Sequence, residues 1–449
     1  MQRLQERCQL KTLVQAQLNN SEHFAETDDF YQGVSFSPDA LCLLTCCRQN
    51  GILLFNTCLS SDNDNDKNWK PALEYKTGDA VRQFQWYPQM QSNNPPSCCF
   101  LGVSRDQPVH LYDAYTGQIR ATYRPYNLLD ELDSPAAFCF LKGGQHFVTG
   151  GFKRERALQI FDVARPGRDP LVSLQLGKTR KSSDGQKGLV SSLQYSDYHN
   201  IIACGTYSPG SIYLYDARAQ STPIQQIIIT GNCVVGHGKS HSRKRKHFNH
   251  FDEEGGGEVN FSSAKIKWFQ SRAITGVTQL EFADDGTSLF SLSRRSNAVI
   301  QWDLRKLTTS SHCPALKSYE TDNDTNQRLE FALHQNHLFV GGRDNCLRVY
   351  DCCDSSSSSE KEDVAVYQTF DNSVNGISIT NLGEKTILAS ATGSRSFPTE
   401  ADYDDDDDDG EGQTKLSASA AASSTLSIHE LPNFLDAPAI AKDGDDEQA

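Results

Sequence analysis

The chain has 449 residues and a formal net charge of −14 at pH 7, but the charge is unevenly distributed. Residues 400–449 contain fifteen acidic and two basic residues, whereas the other 399 residues contain 42 acidic and 41 basic ones. Total charge therefore neither indicates nor excludes nucleic-acid binding, for which only a local basic surface counts. The sequence has no apolar run of about 18 residues, so no membrane-spanning helix is predicted. No apolar run follows the charges at the start either, so no signal peptide is predicted.

Cysteine usage indicates a reducing compartment. The sequence has fourteen cysteines, six of which form the neighbouring pairs Cys46-Cys47, Cys98-Cys99 and Cys352-Cys353. Neighbouring residues of a strand point to opposite faces of a sheet, so these pairs are not predicted to be disulfides. Other cysteines lie in apolar runs, where a free thiol behaves as a small hydrophobic side chain.

A strand ending recurs seven times along the chain, with the pattern aliphatic, any residue, aliphatic, aromatic, Asp. Five full copies and two degraded ones end at Asp113, Asp162, Asp216, Asp303, Asp351, Asn56 and Glu430. A WD-type blade of four strands needs roughly 40–45 residues, and the spacing of the copies leaves room for one blade each, with insertions. The five Asp residues are interpreted as structural anchors. The repeat predicts an all-β, seven-bladed WD40-type β-propeller with disordered insertions and an acidic C-terminal region.

In chain order, an N-terminal segment (1–28) precedes a propeller predicted to span residues 29–431. Within that segment, residues 10–18 fit a strand, and an amphipathic helix through Leu4, Cys8 and Leu18 is the alternative. A basic, His- and Gly-rich insertion (231–272), an acidic loop (396–424) and a disordered tail (432–449) are also predicted. The blades are predicted at residues 34–56, 81–123, 136–176, 188–230, 274–319, 328–370 and 374–431.

Blade seven lacks a fourth strand in this assignment. Its three strands are predicted near residues 374–380, 386–391 and 426, and the tail that follows is interrupted by proline. A propeller left open at this point would expose the edge of a sheet to pairing with other chains. Residues 10–18 are therefore predicted to close the propeller as the outermost strand of blade seven.

The 231–272 insertion carries the motifs that come nearest to known chemistry. A phosphate-binding loop would need Gly at the position of Cys233, so nucleotide binding is not predicted. Cys233 and four histidines lie within eighteen residues, but no pair of cysteines anchors them, so a solvated polar segment is favoured over a zinc site. The sequence contains no catalytic constellation, and no enzyme activity, cofactor or metal is predicted. A basic tract fits a nuclear import signal: Arg243, Lys244, Arg245 and Lys246.

The strongest functional pattern is a ring of basic residues. In a WD-type blade, the turn between the second and third strands lies on the same face as the crossover to the next blade. Six of the seven predicted turns, all except that of blade four, carry Arg or Lys. Because Arg pairs bidentately with phosphate and stacks on bases, such a ring suits RNA; the alternative is structural, since Arg before Asp is common in WD turns. The basic ring consists of Arg48, Arg105, Lys153, Arg154, Arg294, Arg295, Arg328, Arg343 and Arg395.

Six segments resemble the telomerase Cajal body protein family and span blades two to seven. They are residues 105–121 (RDQPVHLYDAYTGQIRA), 126–132 (YNLLDEL), 164–169 (ARPGRD), 325–328 (TNQR), 375–378 (NGIS) and 389–398 (ASATGSRSFP).

The resemblance implies a nuclear RNA-binding scaffold without catalytic activity. The family recognises a short box in the terminal loop of H/ACA-type small Cajal-body RNAs, and of telomerase RNA in animals, and delivers these particles to Cajal bodies. Proteins of the H/ACA ribonucleoprotein and of the Cajal body are the implied partners, and no membrane is implied. The alternative is a WD40 protein-interaction platform without RNA binding, such as a splicing-complex subunit or a ubiquitin-ligase receptor.

Overall fold

The computed structural model describes most of the predicted blades. Arg48, Arg395, the basic tract 243–246 and nearly all of the acidic loop 396–424 lie outside the described residues. The described residues are 10–18, 29–47, 51–57, 69–127, 129–176, 186, 188–207, 210–217, 223–228, 232–233, 268–269, 275–306, 315–352, 365–368, 370–394 and 424–432.

Seven four-stranded antiparallel sheets account for almost every strand, which confirms the predicted seven-bladed propeller. The first strand of each sheet faces the central channel. In chain order the strands are β1 (Lys11–Gln17), β2 (Tyr31–Phe36), β3 (Cys42–Cys47), β4 (Gly51–Asn56), β5 (Leu73–Tyr75), β6 (Val81–Trp86), β7 (Cys99–Ser104), β8 (Val109–Asp113), β9 (Ile119–Tyr123), β10 (Ala137–Phe140), β11 (His146–Gly150), β12 (Ala157–Asp162), β13 (Val172–Gln175), β14 (Val190–Ser196), β15 (Ile201–Thr206), β16 (Ser211–Asp216), β17 (Pro223–Ile228), β18 (Asn232–Cys233), β19 (Trp268–Phe269), β20 (Thr275–Phe282), β21 (Ser288–Arg294), β22 (Ala298–Asp303), β23 (Ala315–Glu320), β24 (Phe331–His334), β25 (His337–Gly341), β26 (Leu347–Asp351), β27 (Ala365–Tyr367), β28 (Val374–Leu382), β29 (Lys385–Thr392) and β30 (Thr425–Glu430).

Blades one to six are each built from four consecutive strands. The insertion between blades four and five adds a separate pair, in which β18 is antiparallel to β19. Short 3₁₀ turns occur at Pro95–Ser97, Lys142–Gly144 and Leu304–Lys306. The six blades are β2–β5, β6–β9, β10–β13, β14–β17, β20–β23 and β24–β27.

Blade seven is assembled from both ends of the chain. Its strand order is β28, β29, β30 and then β1, so residues 11–17 form its outermost strand. β1 pairs antiparallel with β30 from Lys11 opposite Glu430 to Gln17 opposite Thr425. The sequence analysis assigned this position to residues 10–18, and its amphipathic-helix alternative is wrong for residues 11–17. Joining the two ends in one sheet closes the ring without leaving β30 as an unpaired edge.

The third strand of every blade ends at the residue that marked the repeat. Asp113 accepts a hydrogen bond from the backbone N–H two residues later at 2.7 Å, and Asp162 and Asp303 do the same at 2.9 and 3.0 Å. Such side-chain turns hold the chain as it reverses into the fourth strand. The seven strands end at Asn56, Asp113, Asp162, Asp216, Asp303, Asp351 and Glu430.

The hydrophobic core lies between neighbouring blades, because alternate side chains of each strand point to the sheets on either side. Between blades two and three, for example, Leu101 and Val109 pack against Phe138 and Phe147 of the next sheet. None of the nine cysteines whose side chains are described forms a disulfide, and seven of them are buried as small apolar side chains.

A buried polar network joins blades six, seven and one. Asn375 is fully buried, and its amide nitrogen donates to the backbone carbonyls of Tyr31 and Gly393, each at 2.8 Å. Gln327 donates to the side-chain oxygen of Asn375 and, at 2.8 Å, to the carbonyl of Gly393. The network thus brings together three of the segments that carried the resemblance: 325–328, 375–378 and 389–398.

Replacing Asn375 with Ala should destabilise the propeller. The carbonyl of Tyr31 loses a donor and the amide of Gln327 loses an acceptor in a buried site, whereas the carbonyl of Gly393 keeps its bond from Gln327; a buried polar group that loses its partner costs about 1–3 kcal/mol. We expect the free energy of unfolding, measured by urea denaturation, to fall by about 2–4 kcal/mol. Asn381→Ala, at an exposed position of the same strand, is the control and should cost less than about 1 kcal/mol. Equal small losses at both positions would contradict the stabilising role of the network.

Candidate nucleic-acid interface

One face of the propeller carries the described part of the basic ring. On this face, here called the crossover face, lie the turns between second and third strands and the connections to the next blade. The antiparallel order of each sheet places both there. Seven of the nine predicted residues are described on this face: Arg105, Lys153, Arg154, Arg294, Arg295, Arg328 and Arg343.

Carboxylates are interleaved with the basic side chains at blades two and three. Asp106 lies 3.7 Å from Nε of Arg105 and also pairs with Lys153. Glu131, on the crossover to blade three, pairs with Arg154. These side chains are between 50% and 63% exposed, and such surface pairs contribute little to stability. The basic ring is therefore not a continuous positive surface, because Asp106 from a turn and Glu131 from a crossover lie between its basic side chains.

Blades four and five contribute an arginine and a tyrosine that contact each other. Arg294 donates to the hydroxyl of Tyr207 and, at 2.7 Å, to the carbonyl of Asn326. Its guanidinium carbon lies 5.7 Å from the centre of the Tyr207 ring, within the range of a cation–π contact. Tyr207 follows β15 at the turn of blade four that carries no Arg or Lys, and 43% of it is exposed. The sequence analysis missed Tyr207, because its partner is 87 residues away.

Arg328 crosses the mouth of the central channel. It precedes β24 of blade six, and its Nη1 donates at 3.0 Å to the backbone carbonyl of Arg82 in β6 of blade two. Arg82, which the sequence analysis also missed, donates at 3.0 Å to the carbonyl of Pro135. Since blades two and six are not neighbours, the Arg328 side chain spans the opening, and it remains 41% exposed.

The channel encloses a polar cavity of about 320 Å³ beside Arg328. Its walls include Glu281 of blade five and Glu330 of blade six. Burial raises the pKa of Glu281 to about 8, and the charges of Asp284 and Glu330 add to the increase. Burial also raises the pKa of Glu330, although Arg328, 3.5 Å away, opposes the change. The folded channel therefore favours a protonated Glu281 at neutral pH.

Replacing Glu281 with Gln should stabilise the protein at alkaline pH and have little effect at acid pH. The folded pKa of about 8 exceeds the ordinary value of 4.5, so the folded state keeps a proton that the unfolded state loses between these values. The stability that protonated Glu281 contributes is complete below pH 4.5 and is lost as the pH rises through about 8. The Tm of the variant, relative to that of the parent, should therefore rise steadily across this range. Glu384→Gln, at an exposed turn, is the control, and the same trend in both variants would contradict the prediction.

The described residues offer neither a metal site nor a membrane-spanning helix. Within the described part of the chain, no three or more His, Cys, Asp and Glu side chains are grouped so that they could hold a metal ion. No helix there is long and apolar enough to cross a membrane. The histidines of the zinc alternative, between residues 237 and 250, lie outside the described residues.

Comparison with protein-family models finds no match to this chain. Among curated proteins, telomerase Cajal body protein 1 of Bos taurus is 28% identical over 384 residues, which cover 84% of this chain and 60% of the relative. The telomerase Cajal body protein 1 homologue of Drosophila melanogaster is 24% identical over 391 residues, with 84% and 59% covered. The chain is therefore similar to the telomerase Cajal body protein family, as these relatives indicate. It spans about 60% of the length of these relatives.

A further match has a different name. Guanine nucleotide-binding protein negative regulator 1 of Schizosaccharomyces pombe is 22% identical over 329 residues, which cover 71% of this chain and 70% of that protein.

Two segments that carried the likeness to the telomerase Cajal body protein family contact each other. Arg168 lies over the ring of Tyr126, 4.6 Å from its centre, and pairs with Asp130. The backbone of Gly167 makes hydrogen bonds of 2.8 and 3.1 Å along the outer edge of β9. The loop that carries Arg168 therefore covers the edge of blade two and fixes the loop that carries Tyr126 on the crossover face.

Proposed function

We propose that this chain is a non-catalytic nuclear scaffold that binds RNA through its crossover face. The proposed RNA class is H/ACA-type small Cajal-body RNA, with the bound particle directed to the Cajal body and its proteins. Similarity to relatives named for telomerase and the Cajal body supports this class and a nuclear location. The proposal concerns the RNA class, of which telomerase RNA is one member.

The observation that carries RNA binding is the convergence of arginines from several blades, with an exposed tyrosine, around one channel mouth. Arg328 spans the opening, and Arg294 contacts Tyr207 at the rim. Guanidinium groups bind phosphates, and aromatic rings stack on unpaired bases. The carboxylates paired with Arg105 and Arg154 are exposed, so a phosphate can replace them at small energetic cost.

Crosslinking the full chain to RNA in cells and sequencing the recovered RNA tests the proposal. H/ACA-type small Cajal-body RNAs should be enriched over other nuclear RNAs of similar abundance. In solution, the logarithm of affinity for a single-stranded RNA should fall linearly with the logarithm of salt, with a slope of about −0.7 per phosphate contact. An absence of crosslinked RNA would overturn RNA binding, whereas enrichment of another RNA class would overturn only the proposed class.

A protein-interaction platform is the second candidate function. Two observations favour it: the pairing of Asp106 and Glu131 with basic residues lowers the positive potential of the crossover face, and the fission-yeast match is named as a regulator of another protein. This function would be favoured if a protein copurifies stoichiometrically with the chain and crossover-face substitutions abolish that copurification. No RNA should be crosslinked to the chain in that case.

A further inference from the structure

We infer that Tyr207 and Arg294 form a stacking platform for one unpaired nucleobase of the bound RNA. This inference rests on the RNA-binding function proposed above and assigns one contact by which the RNA is held. Two features carry it: an exposed aromatic ring fixed beside a guanidinium, and an exposed arginine next to it that has no partner in the described residues.

The backbone holds Tyr207 in place. Its N–H donates to the carbonyl of Leu189 at 2.7 Å, and its carbonyl accepts from the N–H of Gly276 at 2.7 Å. Gly276 belongs to β20 of the next blade, and a Cβ at that position would lie 2.5 Å from the carbonyl oxygen of Tyr207. Because glycine allows this close approach, the tyrosine is anchored at the junction of two blades although its side chain is exposed.

Arg294 gives the ring its orientation and a cationic edge. One guanidinium nitrogen donates to the hydroxyl of Tyr207, and another donates at 2.7 Å to the carbonyl of Asn326. The guanidinium is thus held between the tyrosine and the crossover to blade six. With the guanidinium in place, 43% of Tyr207 is still exposed. Every nucleobase has a π face, so an exposed aromatic ring backed by arginine accepts a base without requiring one sequence.

Arg295 places an available positive charge next to this platform. It is exposed and has a positive φ of 54°. Within the described residues its side chain has no hydrogen-bond or ion-pair partner, in contrast to Arg105, Lys153 and Arg154, which pair with carboxylates. A phosphate that flanks the stacked base can therefore bind Arg295 without displacing a carboxylate.

The second arginine–tyrosine contact among the described residues differs because its arginine is paired with a carboxylate. Arg168, over the ring of Tyr126, is already paired with Asp130 and links two loops of the fold. Asp130 balances the charge of Arg168, and the contact of Arg168 with Tyr126 holds the two loops together. At Tyr207, by contrast, the ring is exposed and the neighbouring Arg295 has no carboxylate partner among the described residues.

The test uses the full chain and two fluorescent probes, a single-stranded RNA of mixed sequence and the corresponding RNA duplex. Tyr207→Ala should weaken binding of the single strand by roughly 5- to 100-fold, the range for loss of one base–aromatic stack, and should leave duplex binding unchanged. Tyr207→Phe, which keeps the ring, should retain most of the affinity. Tyr198→Ala is the matched control, because Tyr198 lies in the same blade, on the opposite face, and is 72% exposed.

Each outcome separates the platform from the proposed function. If the parent protein binds neither probe, RNA binding itself fails. If the parent binds and Tyr207→Ala binds the single strand equally well, the platform is overturned; equal losses for single strand and duplex also overturn it. A probe with abasic sugars removes stacking without altering the protein. The parent protein should bind the abasic probe more weakly than the intact RNA. If the missing base and the missing Tyr207 ring belong to one contact, Tyr207→Ala should lose less affinity than the parent when the abasic probe replaces the intact RNA.

Discussion

Deleting residues 1–18 should give a protein that aggregates, or that melts far below the full chain. The deletion removes β1 and with it the antiparallel hydrogen bonds to β30, together with the buried side chains of Leu10 and Ala16. Each backbone hydrogen bond contributes about 1 kcal/mol and a domain has only about 5–15 kcal/mol of net stability, so this loss is a large fraction. It also uncovers β30, whose Leu426 and Ile428 are fully buried in the intact protein, as an edge open to other chains.

Two controls make this closure experiment specific. Deleting residues 1–9 keeps Leu10 and all of β1, and should leave the Tm and the monomeric state of the full chain unchanged. A synthetic peptide of residues 8–20, added to the longer deletion, should raise its Tm as the peptide concentration increases, because ligands that bind only the folded state stabilise it by mass action. A scrambled peptide should have no effect. A longer deletion that melts like the full chain and remains monomeric would show that β1 does not close the propeller in solution.

The sequence predicted the fold well because the repeat has a local physical cause. The Asp that ends a third strand caps the following turn through its own side chain, as Asp113 and Asp162 show, so the signal lies within a few residues. The role of β1 was predictable in another way. Blade seven had only three predicted strands and the tail that follows it is interrupted by proline, so the missing strand was expected from residues 10–18, more than 400 residues away.

The candidate site was predicted only in part, because its contacts join distant residues. The turns identified Arg105 and Arg343, but not the carboxylate of Glu131, which comes from a crossover and pairs with Arg154. The sequence did not indicate Tyr207, because the turn of blade four lacks the Arg or Lys by which the basic ring was recognised. The role of Arg82 depends on contacts with a crossover 53 residues away and with Arg328, 246 residues away. Only the closed ring of blades brings these groups together.

Replacing Arg105, Arg295 and Arg343 with Glu should abolish RNA binding at physiological salt while leaving the Tm nearly unchanged. The three side chains come from blades two, five and six, and all are exposed. Exposed charges contribute little to stability, so the folded state should persist. RNA phosphates would meet three carboxylates in place of three guanidinium groups. Since phosphate contacts dominate affinity for nucleic acids, we expect a loss of roughly 100-fold or more for a single-stranded RNA, measured by fluorescence anisotropy.

A second triple variant, Lys70→Glu, Lys142→Glu and Arg165→Glu, separates local contacts from total charge. These residues are also exposed, and they lie in connections between first and second or third and fourth strands, at the ends of the sheets opposite the crossover face. The substitutions therefore cause the same change in net charge elsewhere on the molecule. Long-range repulsion alone should weaken binding modestly at low salt, and the effect should vanish above about 0.15 M, where the Debye length is about 8 Å. The crossover-face variant should remain defective there, because its lost contacts are direct. If both variants bind RNA equally well at that salt concentration, the crossover face is not the interface, and the protein-interaction platform becomes the better explanation of the exposed arginines.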